Sequence, residues 1–187
     1  AERLEEQLQK PGYVPQPIAL GMNTDAYQPI EREQRLTRRT LEILLRYKHP
    51  LHIITKGSLI LRDLDLLSEL ASHNLVSVAF SLTTLDDELK RIMEPRTAAP
   101  AARLRAMRTL HEAGVPVSAI CAPMIPQIND MELEALLEAA RDAGARSAGY
   151  VLLRLPLEIA GLFEEWLQVH FPDRAAHVMS LIRQSRG

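Results

Sequence analysis

An α/β chain folded as a partial barrel of parallel strands is the architecture this sequence predicts, and three observations predict it. The strands read as short continuous apolar runs, the pattern of a parallel sheet covered by helices, rather than as half-buried alternations. These runs recur roughly every 30 residues, a spacing that suits strand-helix-strand crossovers. Polar residues gather just after each run, where α/β folds place their sites, and no Gly-x-Gly-x-x-Gly follows any strand to suggest a doubly wound nucleotide-binding sheet.

The elements follow in order. Ala1 to Lys10 is helical in pattern, with Leu4 and Leu8 one turn apart, and Pro11-Gly12 stops it. Pro17 to Leu20 reads as the first strand and runs into the polar loop Gly21 to Glu31. A helix follows from about Arg35 to Tyr47, with Leu41, Leu44 and Leu45 on one face. Leu51 to Thr55 is the second strand, leaving through Lys56-Gly57-Ser58, and Asp63 to His73 the next helix. Val76 to Leu82 is the third strand, followed by Thr83-Thr84 and a short helix from Asp86 to Met93. Thr84 is the expected cap of that helix. Pro100 opens and Gly114 closes a longer helix, the usual asymmetry. Val115 to Ala122 is the fourth strand, and Asp130 is the expected cap of a helix ending at Gly144. Ala148 to Leu153 is the fifth strand, and two helices, about Ala160 to His170 and Arg174 to Gln184, complete the chain. Residues 1–159 are therefore read as the barrel unit and 160–187 as a helical extension. A chain that opens on a helix leaves that helix without the strand a right-handed crossover requires, so a first strand and loop are expected before Ala1.

Composition narrows the function classes. The 187 residues are 47% apolar and 25% charged, a soluble globular balance, with a net charge of -2. That charge does not support holding nucleic acid by bulk electrostatics, and 4% aromatic content leaves little for base stacking. Cys121 is the single cysteine, which excludes an internal disulfide framework and reads as a small buried hydrophobe. No apolar run approaches the roughly 18 residues of a membrane span and no signal peptide opens the chain, so the expected location is cytoplasmic. The histidines (49, 52, 73, 111, 170 and 177) show no metal-ligand spacing. Phe163 and Trp166, three apart on the tail helix, read as core.

The candidate site gathers at the strand ends. Asn23, Thr24, Asp25, Tyr27 and Gln28 follow the first strand, and this loop carries more polar groups than a turn needs. Lys56 and Ser58 follow the second strand, Ser81, Thr83 and Thr84 the third, Pro123 to Asn129 the fourth, and Arg154 the fifth. Lys56 reads either as a solvated strand-end charge or as the partner of a ligand anion. Glu94 and Arg96 read as structural charges, paired with each other or bridging barrel loops.

The segments Thr24-Asp25-Ala26-Tyr27-Gln28-Pro29-Ile30-Glu31, Ile54-Thr55-Lys56, Ser81-Leu82-Thr83-Thr84, Met93-Glu94-Pro95-Arg96, Ala122 to Asp130 and Tyr150 to Pro156 together resemble the radical S-adenosylmethionine (SAM) enzymes, with the photolyase-like subgroup related to spore photoproduct lyase the most similar. The resemblance runs from about Pro11 to Gly187 and implies a partial (β/α)6 barrel, here lacking its first strand. It implies SAM and a [4Fe-4S] cluster held by a Cys-x-x-x-Cys-x-x-Cys loop. It also implies reductive cleavage of SAM to a 5′-deoxyadenosyl radical that abstracts hydrogen from a substrate, and a flavodoxin- or ferredoxin-type reductant as partner. By the same resemblance Thr24, Lys56 and Ser81 contact SAM, Lys56 at its carboxylate, and Met124, Ile125 and Ile128 pack its adenine. Asp25, Tyr27, Gln28 and Arg154 are assigned to substrate only by their place on the same face. Two departures matter. One cysteine cannot supply three thiolates, so the cluster ligands are not in this chain, which is expected to be inactive alone. Met22 also stands where spore photoproduct lyases carry a cysteine, which removes a thiol hydrogen donor and leaves a role in nucleic-acid repair without that group. The competing readings are a cluster-free barrel lyase or aldolase using Lys56 as a Schiff base, and a non-catalytic barrel fragment that binds a partner.

Overall fold

The computed structural model describes residues 2–185. Five strands, β1 (Ile18–Leu20), β2 (Leu51–Thr55), β3 (Val76–Ser81), β4 (Val117–Met124) and β5 (Ser147–Leu152), form one sheet in sequential order. Every neighbouring pair is parallel, as the spacing of the apolar runs predicts. The helices are α1 (Glu2–Leu8), α2 (Glu31–Gln34), α3 (Leu36–Arg46), α4 (Leu64–Ser72), α5 (Asp87–Met93), α6 (Pro100–Glu112), α7 (Leu133–Asp142), α8 (Leu157–His170) and α9 (Ala175–Gln184). Short 3-10 turns, Ser58–Asp63 and Asp130–Glu132, lead into α4 and α7.

The three central strands alternate in burial more strictly than their apolar composition suggests. Leu51, Ile53 and Thr55 of β2, Val76, Val78 and Phe80 of β3, and Val117, Ala119 and Cys121 of β4 are buried. They share one core with Leu41 and Leu44 of α3, Leu67 and Leu70 of α4, Met107 and Leu110 of α6, and Leu136 of α7. The other face carries His52, Ile54, Ser77, Ala79, Ser118 and Ile120, which are half-buried or exposed. Two-sided apolar strands are what a closed barrel requires, and an open one leaves its concave face accessible. β5 is exposed along its whole length.

A second, smaller core joins Ile125 and Leu155 to Leu167, Ala175, Val178, Met179 and Ile182 of the tail helices. Phe163 and Trp166 stack beside it with ring centroids 5.5 Å apart. α8 begins at Leu157, directly after Pro156 and three residues before its predicted start.

Two expected caps are corrected. The cap of α5 is Asp86, whose carboxylate accepts from the backbone N–H groups of Glu88 and Leu89. The Thr84 hydroxyl instead donates to Glu132 (2.6 Å) and accepts from the Asp86 N–H, tying the β3 exit to the start of α7. Asp130 does not cap α7 either; it accepts from the Gln127 N–H at 2.8 Å and so closes the preceding turn.

Candidate functional site

The carboxyl ends of the strands are built from the β1 exit outward. Gly21 leaves β1 with φ +91°, and a Cβ there would lie 2.0 Å from the Ile54 carbonyl oxygen, so only glycine lets the first loop cross against β2. Asp25 then pins that loop. Its carboxylate accepts from the Tyr27 N–H (2.8 Å), the Thr55 hydroxyl (2.7 Å) and the Lys56 N–H (2.7 Å), which joins the β1 loop to the β2 exit. The Tyr27 side chain lies in the main core. Burial, and next the Asp63 carboxylate beside it, push the ionisation of this phenol well up, so it stays neutral.

Lys56 follows directly on the last β2–β3 register pair, Thr55 with Phe80, and therefore stands level with Ser81, which is itself level with Ile120. The Lys56 ammonium lies 2.7 Å from Glu94 Oε1. The contact is ionic rather than directed, since Oε1 is buried and has no hydrogen bond of good angle. The other oxygen of Glu94 accepts from Arg103 at 2.6 Å. Arg103, only 1% exposed, also donates to the Ser81 carbonyl (2.7 Å), the Ala98 carbonyl (2.9 Å) and the Thr97 hydroxyl (2.6 Å). One buried guanidinium thus fixes the β3 exit, the loop after α5 and, through Glu94, the head group of Lys56. Burial, the largest influence on Glu94, raises its pKa. The Arg103 charge and the Lys56 contact outweigh it and hold the carboxyl below its ordinary value.

The last residues of β4 contain a cis Ala122–Pro123 bond, where its register with β5 shifts, and the loop follows Met124. Buried Asn129 organises it, accepting from the Ile125 N–H (2.6 Å) and donating to the carbonyls of Thr83 (2.7 Å) and Pro123 (3.0 Å).

The candidate residues therefore fall into four places. Asp25, Tyr27, Gln28 and Lys56 line one cavity of about 520 Å3, together with Arg32, Ser58, Arg96 and Thr97. Thr24 lines an adjoining recess of about 340 Å3 with Gly21, Ala26 and Leu36, and shares Asp25 and Gln28 with the first. Ser81 is buried in the sheet beside Lys56, while Met124 and Ile125 are buried in the two cores with Ile128 packed half-buried over the second. Arg154 is exposed and lines a separate cavity of about 620 Å3 along Tyr150 to Pro156.

Arg103, the organising role of Asn129 within its loop and the hub role of Glu94 are what reading by strand ends misses. A signal for Arg103 existed: it falls on the stripe of Ala106, Met107 and Leu110 at helical spacing, where a solvated arginine does not belong. Glu94 pairs with Arg103 and Lys56 rather than with Arg96.

Cys121 is buried on the helix-facing side of β4, and burial pushes its thiol pKa up. Among the described residues no group of three or more His, Cys, Asp or Glu side chains is placed to hold a metal. The residues present do not fit the iron-sulfur cluster. They do offer a cation, Lys56, and neighbouring hydroxyls to an amino-acid carboxylate. No helix among the described residues is long and apolar enough to cross a membrane.

A family model described as the Radical SAM superfamily matches residues 1–140. Uncharacterized proteins of Mycobacterium tuberculosis and Mycobacterium bovis are each 36% identical over 183 residues, covering 97% of this chain and 54% of the relative. An uncharacterized protein of Methanocaldococcus jannaschii is 34% identical over 115 residues, covering 62% of this chain and 43% of its own length. The chain thus spans about half the length of the curated relatives it matches.

Proposed function

Since this chain belongs to the radical SAM superfamily, we propose that it forms the SAM-binding barrel wall of an enzyme that performs radical hydrogen abstraction on a substrate. The observation that carries the reading is the Arg103–Glu94–Lys56 relay, which presents a cation level with Ser81 at the carboxyl ends of adjacent strands. In this reading Lys56 receives the SAM carboxylate, Thr24 and Ser81 supply hydroxyls, and the turn Met124 to Ile128 forms the wall toward the adenine through its backbone and the Ile128 side chain. Bound SAM supplies the group from which the family's radical chemistry starts. This chain's own residues bind and orient it: Glu94 steadies the ammonium, and Asp25 holds the Lys56 backbone. Within the unit 160–187, read as a helical extension, the helices α8 and α9 close the second core over Ile125.

A single cysteine cannot hold the family's [4Fe-4S] cluster, so its thiolates would have to come from outside these 187 residues. A flavodoxin- or ferredoxin-type protein is the electron donor we infer for the whole enzyme. The photolyase-like placement rests on the strand-end motifs, and a role in nucleic-acid repair would have to proceed without a thiol at the position that Met22 occupies.

Equilibrium dialysis with labelled SAM tests the proposal. Lys56→Ala should weaken binding by about 1.5–3 kcal/mol, the range for a hydrogen bond to a charged group. Unchanged affinity in Lys56→Ala, in a protein that binds SAM measurably, removes Lys56 from the site.

A further inference from the structure

The cavity over the exits of β1 and β2 is more cationic than the SAM reading needs. Lys56 enters it already balanced by Glu94, and Glu94 is itself shared with Arg103. Arg32, from α2, and Arg96, from the loop after α5, line the same cavity. Neither guanidinium makes a hydrogen bond or ion pair with another described residue, and Arg32 bonds only through its backbone N–H, to the Pro29 carbonyl. The carboxylates that might have quenched them are turned elsewhere. Glu31 is taken by the N–H groups of Leu36 and Thr37 and by Arg62, and Asp25 by its three donors on the loop and the β2 exit. Counting Arg103 and Lys56 against Glu94 and Asp25, the two free guanidiniums remain as uncompensated charge around about 520 Å3 of space.

Neutral residues make up the rest of the lining, the polar ones among them Tyr27, Gln28, Ser58 and Thr97. Two like charges left unpaired at one cavity repel each other, and a doubly charged oxyanion removes that cost while meeting the planar donor forks of arginine. A single carboxylate would satisfy Lys56 and leave both arginines unmatched.

We propose that this cavity binds a phosphate-type group of the substrate through Arg32 and Arg96, next to the cofactor cation Lys56. The proposal deepens the SAM-enzyme reading by naming a substrate class, and it rests on that reading only for the word substrate; the anion site stands on the cavity itself.

The test is a titration of the chain with inorganic phosphate and with pyrophosphate at low ionic strength, followed by NMR or calorimetry, with folding of each variant checked by circular dichroism. Saturable binding is expected, weakened about tenfold or more by Arg32→Gln and by Arg96→Gln, as for loss of a charge-assisted contact. Both side chains are exposed, so the variants should fold. SAM affinity should change little in these two variants. Absence of saturable binding up to about 10 mM of either probe, or equal binding by the wild type and the Arg32→Gln/Arg96→Gln double variant, overturns the site whatever SAM does. If Arg96→Gln instead weakens SAM while leaving phosphate untouched, the cation belongs to the cofactor and the substrate proposal fails, with the SAM reading intact.

Discussion

Replacing Arg103 by Met should be among the most damaging single changes in this barrel. The methionine keeps most of the volume of the stem but removes four contacts: Glu94, the carbonyls of Ser81 and Ala98, and the Thr97 hydroxyl. Glu94 would remain buried with only Lys56, a half-exposed partner, at its other oxygen. Breaking one side of a buried pair costs about 3–5 kcal/mol, because the remaining charge is left desolvated. That is a large fraction of the 5–15 kcal/mol of stability typical of a domain. Urea unfolding at pH 7 measures the loss, and Arg103→Lys, which keeps the charge but not the fork, should recover part of it. The pH dependence gives the charge its signature. In the wild type the folded carboxyl of Glu94 titrates below its ordinary 4.5, so its contribution is present above that value and is lost as pH falls through the lower folded one. Without Arg103 the largest remaining influence is burial, which raises the pKa, so the variant takes up the Glu94 proton at higher pH. The gap between variant and wild type should therefore narrow as the buffer is taken from neutral to acid. A loss below about 1 kcal/mol at pH 7, within the range of surface ion pairs, or a gap that does not depend on pH, would refute the view of Arg103 as the buried counter-charge.

Two further changes probe the loops that frame the site. Gly21→Ala should cost about 2 kcal/mol or more, since it combines a left-handed backbone with a Cβ set against the Ile54 carbonyl, and denaturant unfolding reads it directly. Asn129→Ala removes three hydrogen bonds and leaves the Ile125 N–H buried without an acceptor, so a loss of about 2–4 kcal/mol is expected, with faster amide exchange at Ile125.

The fold was legible because its signals are local and repeated. Each apolar run of four to eight residues, bounded by Pro, Gly or polar turns, became a parallel strand, and the strand order followed from the length of the connections. The two missed caps show where such reading stops. At Thr84 and Asp130 a side chain of the right type stood next to a helix, and which group it bonded was settled by a residue distant in sequence in the first case and by the preceding turn in the second. The exposure of β5 was likewise hidden, since Tyr150-Val151-Leu152 reads the same whether helices cover both faces or neither.

The site was legible as a set of strand ends but not as a circuit. Asp25 and Lys56 are 31 residues apart, yet the Asp25 carboxylate accepts the Lys56 N–H, because parallel pairing of β1 with β2 brings successive exits side by side. Glu94 reaches the same place from a loop after α5, and Arg103 reaches Glu94 from a helix whose other inward residues are apolar. No single segment encodes that relay. The conflict between a guanidinium and its apolar stripe could have been noticed, and such local conflicts mark where a fold departs from its simplest core for a purpose. Here the purpose follows from the contacts. A buried cation holds a buried carboxylate, and the carboxylate holds Lys56 at the strand-end cavity, so the ammonium is positioned before any ligand arrives. Pre-positioning lowers the ordering cost of binding an anion there, and the neighbouring arginines, which lack that support, are left to be ordered by a ligand of their own.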